Sequence, residues 1–128
     1  MFVSNPELRA RGLAVFEELF GGEAMAAVKR DMDGVCPDFI DMTIEWAMGG
    51  ITARPGLDLI TRELVVIASC VTLGHTVTQL RAHTQAALEA GATKEQIVEA
   101  ILQIQFYAGG ASVRNALANV KDILQAAA

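Results

Sequence analysis

Apolar positions recur every three or four residues along most of this chain, and glycines interrupt the recurrence. Asn5-Pro6-Glu7 reads as a helix start, with Asn as the cap, Pro at the first helical position and an acid near the positive end of the dipole. The helix it opens carries Leu8, Leu13, Val15, Phe16 and Leu19 and stops at Gly21-Gly22. A short helix over about 23–30 follows, then a turn over 31–34. Cys36-Pro37-Asp38 opens a third helix with Phe39, Ile40, Ile44 and Trp46, predicted to end at Gly49-Gly50. In the loop 51–57, Pro55 fixes its own φ and biases Arg54 away from the helical region, and Gly56 permits a tight turn.

Asp58 is the predicted cap of a fourth helix, 59–73, whose Leu64, Val65, Ile67, Ala68 and Val71 are apolar on nearly every side. That pattern predicts the central buried helix, broken by Gly74. A fifth helix runs from about Val77 to Ala90 and is closed by Gly91. Thr93 and Gln96 form a capping box for a sixth, with Ile97, Ala100, Ile101, Ile104 and Phe106 as its stripe and an end near Tyr107. Gly109-Gly110 interrupts, and a last helix covers 112–125. No Val/Ile/Thr alternation marks a strand. The expectation is an all-α bundle of about six to seven helices in one domain, 1–128.

Composition narrows the function classes. A net charge of −5 argues against nucleic acid, whose phosphates need clustered Lys and Arg. The most apolar run, Leu64–Gly74, is 11 residues long and contains Ser69, Cys70 and Thr72, whereas a membrane span needs about 20. The first five residues carry no basic and apolar signal pattern, so the expected location is the cytoplasm. Two cysteines without a CxxC spacing predict neither a disulfide framework nor a zinc site. A hydrophobic content of 52% is high for a small monomer and predicts a homo-oligomer.

Candidate chemistry concentrates between Arg54 and Tyr107. His83 lies mid-helix and is either a partly buried histidine or a general acid/base, since imidazole exchanges protons near neutral pH. His75, Gln79 and His83 are spaced by four and share a face if the fifth helix begins early enough; otherwise His75 sits in the preceding loop. Glu63 and Cys70 are two turns apart on the fourth helix. A carboxylate on so apolar a helix must be paired or face a pocket. Cys70 reads first as a small buried residue. Arg54 suits a carboxylate clamp, because guanidinium binds carboxylates through two parallel hydrogen bonds, or bonds loop carbonyls. Trp46 and Tyr107 line a pocket or belong to the core. No HExxH or Glu-x-x-His pair predicts a metal, and there is no phosphate loop or nucleophile elbow.

Trp46-Ala-Met-Gly-Gly-Ile51, Arg54-Pro-Gly-Leu57 and Thr61-Arg62 resemble the carboxymuconolactone decarboxylase family of the alkylhydroperoxidase D-like superfamily. His83, Ala86-Ala87, Gly91-Ala-Thr93, 99–103 and Tyr107-Ala-Gly109 continue the likeness in order, over roughly residues 5–122. The resemblance implies an all-helical protomer, assembly into trimers or hexamers, and no cofactor. It implies a lyase of aromatic-acid breakdown that decarboxylates a small carboxylated lactone or a related keto acid. It makes His83 the acid/base and Arg54 the substrate clamp, puts Glu63 where peroxidase relatives have a relay glutamate, and puts His75 near their first active-site cysteine. Trp46, Cys70, Gln79 and Tyr107 are the further candidate substrate contacts. The chain departs from the family pattern at Gln85, at Glu89-Ala90 and over 109–115. A non-catalytic oligomeric binding protein, and more remotely an alkylhydroperoxidase-like redox protein, are the alternative readings.

Overall fold

A computed structural model of the chain describes residues 2–128, which form helices and short connections without a strand. The chain divides into two compact units, Met1–Leu57 and Asp58–Ala128.

In the first unit, helix α1 (Pro6–Phe20) begins as its sequence predicts, with the Asn5 side chain accepting a hydrogen bond from the Leu8 amide. Gly21 ends it at φ 79°, a conformation that disfavours side chains. Helix α2 spans Gly22–Met32. Helix α3 (Phe39–Met42) does not stop at Gly49-Gly50; it runs on as a π-helix over Thr43–Thr52. The wider winding shows where the Ala53 amide reaches the Met48 carbonyl at 2.8 Å and the Thr52 hydroxyl reaches the Ala47 carbonyl at 3.3 Å.

The glycines here serve close approach rather than termination. A Cβ on Gly12 would lie 1.9 Å from the Ile44 carbonyl oxygen, and one on Gly49 would lie 2.1 Å from that of Leu8. Helix α1 and the π-helix therefore meet backbone to backbone. Phe16, Ile40 and Ile44 close the core of this unit, with Leu13, Met25 and Met48 packed against them. Glu45 is buried on the same π-helix and accepts hydrogen bonds from the Ser4 hydroxyl and, at 2.8 Å, from the Asn5 amide. It thus satisfies a buried carboxylate and ties the residues before α1 to the π-helix.

The second unit holds α4 (Leu59–Leu73), α5 (Val77–Glu89), α6 (Lys94–Leu102), α7 (Gln105–Ala108) and α8 (Gly110–Ala126). Asp58 caps α4 by accepting from the Thr61 amide at 2.8 Å, and Gly74 closes it in the left-handed region at φ 80°. Both hydrogen bonds of the Thr93/Gln96 capping box form. Ile67, Val71, Leu80, Ile97, Ile101, Val113 and Val120 make the core.

Three further expectations need correcting. Helix α4 is not buried all round, since Val65 is 55% exposed. The sixth helix ends at Leu102, and Phe106, predicted for its stripe, is 91% exposed on the single turn of α7. The chain leaves the α6 axis there: Ile104 keeps its place against the core and its carbonyl accepts the amides of Tyr107 and Ala108. Helix α8 then starts at Gly110, two residues earlier than expected.

Helices α5 and α8 are joined by a two-pronged ion pair, in which the Arg81 guanidinium meets Asp122 at 2.7 and 2.9 Å and also donates to the Asn119 carbonyl. The guanidinium's hydrogen bonds hold the Asp122 carboxyl at about 2, below its ordinary 3.8, and outweigh the opposing desolvation. A carboxyl depressed on folding contributes stability that is complete above the unfolded value and is lost as pH falls through the folded one. Wild-type melting temperature should therefore fall more steeply between pH 4 and about 2 than that of Asp122→Asn. Parallel melting profiles for the two proteins would show that the pair contributes nothing. Among the described residues, no helix is long and apolar enough to cross a membrane.

Candidate functional site

Glu63 and His83 are twenty residues apart in sequence and meet in space. Glu63 lies on the face of α4 that carries Ile67 and Cys70 into the core, so its carboxylate is drawn in with them and stays 2% exposed. A carboxylate removed from water needs a partner. The partner comes from α5, where His83 Nδ1 lies 2.6 Å from Glu63 Oε2. A carboxylate oxygen only accepts, so Nδ1 is the donor and the imidazole plane is oriented by the contact. The His83 side chain retains 19% exposure, against 3% for that of Glu63. The arrangement is a buried carboxylate behind a histidine that still reaches the surface. An imidazole oriented in this way can exchange protons near neutral pH.

His75 does not share a face with Gln79 and His83, because α5 begins only at Val77. It lies in the connection between α4 and α5, exposed, with Nδ1 3.2 Å from the Leu73 carbonyl. Gln79 is exposed on the first turn of α5. Cys70 is buried in the core cluster and borders a cavity of about 60 Å³ beside Thr76, Ser112, Asn115 and Asn119. Tyr107 is 88% exposed on α7, so it is not a core residue of the protomer. Trp46 and Arg54 belong to the other unit. Trp46 projects from the π-helix at 71% exposure, and Arg54 follows it on an exposed turn with its amide bonded to the Ile51 carbonyl.

Sequence reasoning placed Glu63 and His83 among the candidates without pairing them. The available signal was the demand of a carboxylate on an apolar helix face for a partner. Glu45 was missed as a second buried carboxylate; its position in the apolar run between Ile44 and Trp46 carried the same signal. Among the described residues, no group of three or more His, Cys, Asp or Glu side chains is placed to hold a metal ion.

A sequence model of the carboxymuconolactone decarboxylase family matches residues 37–122. The chain is 35% identical over 106 residues to a 4-carboxymuconolactone decarboxylase of Acinetobacter baylyi, covering 82% of this chain and 78% of that protein. It is 29% identical over 119 residues to the nitrosuccinic acid decarboxylase npaB of Metarhizium robertsii, covering 89% and 82% respectively. The matched region includes the whole α4–α5 pair, with Glu63 and His83 inside it. With an all-helical fold, a family match over most of its length and these likenesses, the chain belongs to the carboxymuconolactone decarboxylase family.

Proposed function

We propose that this chain is a cofactor-free decarboxylase of a small carboxylated lactone or a related activated acid. The Glu63–His83 pair carries the reading. In this reading Glu63 positions the ring, His83 delivers a proton to carbon, and Arg54 holds a substrate carboxylate.

The chemistry named for the two relatives makes the same demand on a protein. In a carboxylated, conjugated lactone, breaking the bond to CO₂ sends its electron pair through the alkene into the lactone carbonyl. In nitrosuccinic acid, the pair left on carbon is taken up by the adjacent nitro group. Either way the carboxylate departs as CO₂, its charge is left on the remaining fragment as a delocalised oxyanion, and a proton must then be added to carbon as the electrons return. An oriented imidazole supports the last step, and a guanidinium supports anchoring of an anionic group.

The test is CO₂ release by purified protein on 4-carboxymuconolactone and, in parallel, on nitrosuccinate. Turnover of either supports the decarboxylase; saturable binding of these acids without CO₂ release would favour the binding-protein alternative. Arg54→Ala is expected mainly to raise KM if the guanidinium holds a ground-state carboxylate, and Arg54→Lys to restore it only in part. An unchanged KM in Arg54→Ala would remove the clamp from the mechanism.

The same reading includes a homo-oligomer, a trimer or hexamer. The outward Trp46, Phe106 and Tyr107 support it, since aromatic side chains left in water favour being covered by another copy. Light scattering should return three or six protomer masses at micromolar concentration. A monomer would sink this part of the proposal.

A further inference from the structure

An open groove between α6 and α8 takes no part in the Glu63–His83 site. Val98, Leu117 and Leu124 supply its apolar wall, and Lys94 and Lys121 are its only charged lining residues. Its volume is about 500 Å³, within the range of ligand sites. The chain has only three lysines, Lys29, Lys94 and Lys121, and its net charge is −5. Two of those three therefore border one apolar groove on an acidic protein.

Neither lysine is committed elsewhere. Neither Lys94 nor Lys121 joins an ion pair among the described residues. Lys94 is half-buried, so its stem covers part of the groove wall while the ammonium stays in water. It also stands at the first position of α6, where the helix dipole adds positive potential. The groove on the other side of α6 provides a contrast. It has about 410 Å³, is lined by Leu64, Val65 and Ala68, and has Glu99 as its only charged lining residue. Two apolar grooves of similar size thus differ in the sign of their charge, and only the α6/α8 groove is complementary to an anion with an apolar body.

We infer that the α6/α8 groove binds an amphipathic carboxylate of medium chain length. The carboxylate lies between the Lys94 and Lys121 ammoniums and the hydrocarbon lies along Val98, Leu117 and Leu124. The site is separate from the proposed catalytic pair.

Decanoate, kept below its micelle concentration, is the probe. It is titrated into the full chain by calorimetry and by NMR of the Val98, Leu117 and Leu124 methyl groups. His83→Ala is titrated in parallel, so that occupation of the proposed catalytic site is read separately. Saturable binding that shifts these methyls and persists in His83→Ala is expected. The Lys94→Gln/Lys121→Gln protein should bind at least about tenfold more weakly, the scale of losing charge-assisted contacts. The Lys94→Arg/Lys121→Arg protein should retain most of the affinity, and decanol should bind more weakly than decanoate. Equal binding by the Gln variant, shifts confined to the surroundings of His83, or no saturable binding would each overturn the inference. A smaller assembly in the Gln variant would also overturn it, because the groove would then be covered by a second copy.

Discussion

His83→Ala is expected to lower turnover on the true substrate about 10²–10⁴-fold, the usual contribution of a positioned acid/base group. Substrate binding should change far less if, as proposed, the imidazole handles the proton and Arg54 the carboxylate. Glu63→Gln should also lower turnover. The amide preserves the size of the side chain but removes the charge 2.6 Å from Nδ1 and permits the opposite ring orientation or tautomer. Both variants need unchanged helical signal and assembly size for the comparison to count. His75→Ala serves as the control, because His75 lies exposed in the α4–α5 connection and bonds a backbone carbonyl. Full turnover in His83→Ala together with loss in His75→Ala would reverse the assigned roles. Full turnover in both would end the acid/base mechanism.

Gly49→Ala is expected to destabilise the protein by at least about 3 kcal/mol, the upper end of ordinary overpacking. The new methyl would lie 2.1 Å from the Leu8 carbonyl oxygen, and a backbone atom cannot swing aside as a side-chain tip can. Gly12→Ala should be at least as damaging, with its nearest obstacle, the Ile44 carbonyl, at 1.9 Å. Gly50→Ala separates steric clash from helix propensity. The nearest atom to its Cβ is the Glu45 carbonyl oxygen at 3.6 Å, an ordinary contact. Alanine there should be neutral or stabilising by up to about 1 kcal/mol, because it removes the entropy cost of glycine in a helix. Urea titration of the four proteins reads all of this directly. Equal midpoints for Gly49→Ala and wild type would mean that α1 and the π-helix do not meet as described.

These two predictions rest on different kinds of information. Helix beginnings were legible in the sequence because capping is local. Asn5, Asp58 and Thr93 each accept a hydrogen bond from an amide three residues onward, so four adjacent residues contain the whole interaction. Gly74 and Gly91 could be read as stops for the same reason, and both adopt positive φ. Family membership was legible too, because its motifs are short and keep their order.

Other features were decided by tertiary structure. Gly49-Gly50 looks like a stop in sequence, yet the helix winds through it, because α1 needs a surface without side chains against which to lie. Phe106 continues the spacing of the α6 stripe, yet the chain turns after Leu102 and points it outward. Val65 follows Leu64 in an apolar run, yet it faces out of the protomer. Glu63 and His83 were candidates on separate helices until the Gly74–Thr76 connection folded α5 back onto α4 and brought them together. For Gly49 and for the Glu63–His83 pair the deciding partner lies twenty or more residues away, outside the reach of local pattern. The sequence by itself determined where most helices begin and which of their faces are apolar. Packing decided which apolar face is covered, which glycine is a contact rather than a stop, and which carboxylate meets which histidine, since those depend on where distant backbones come to rest.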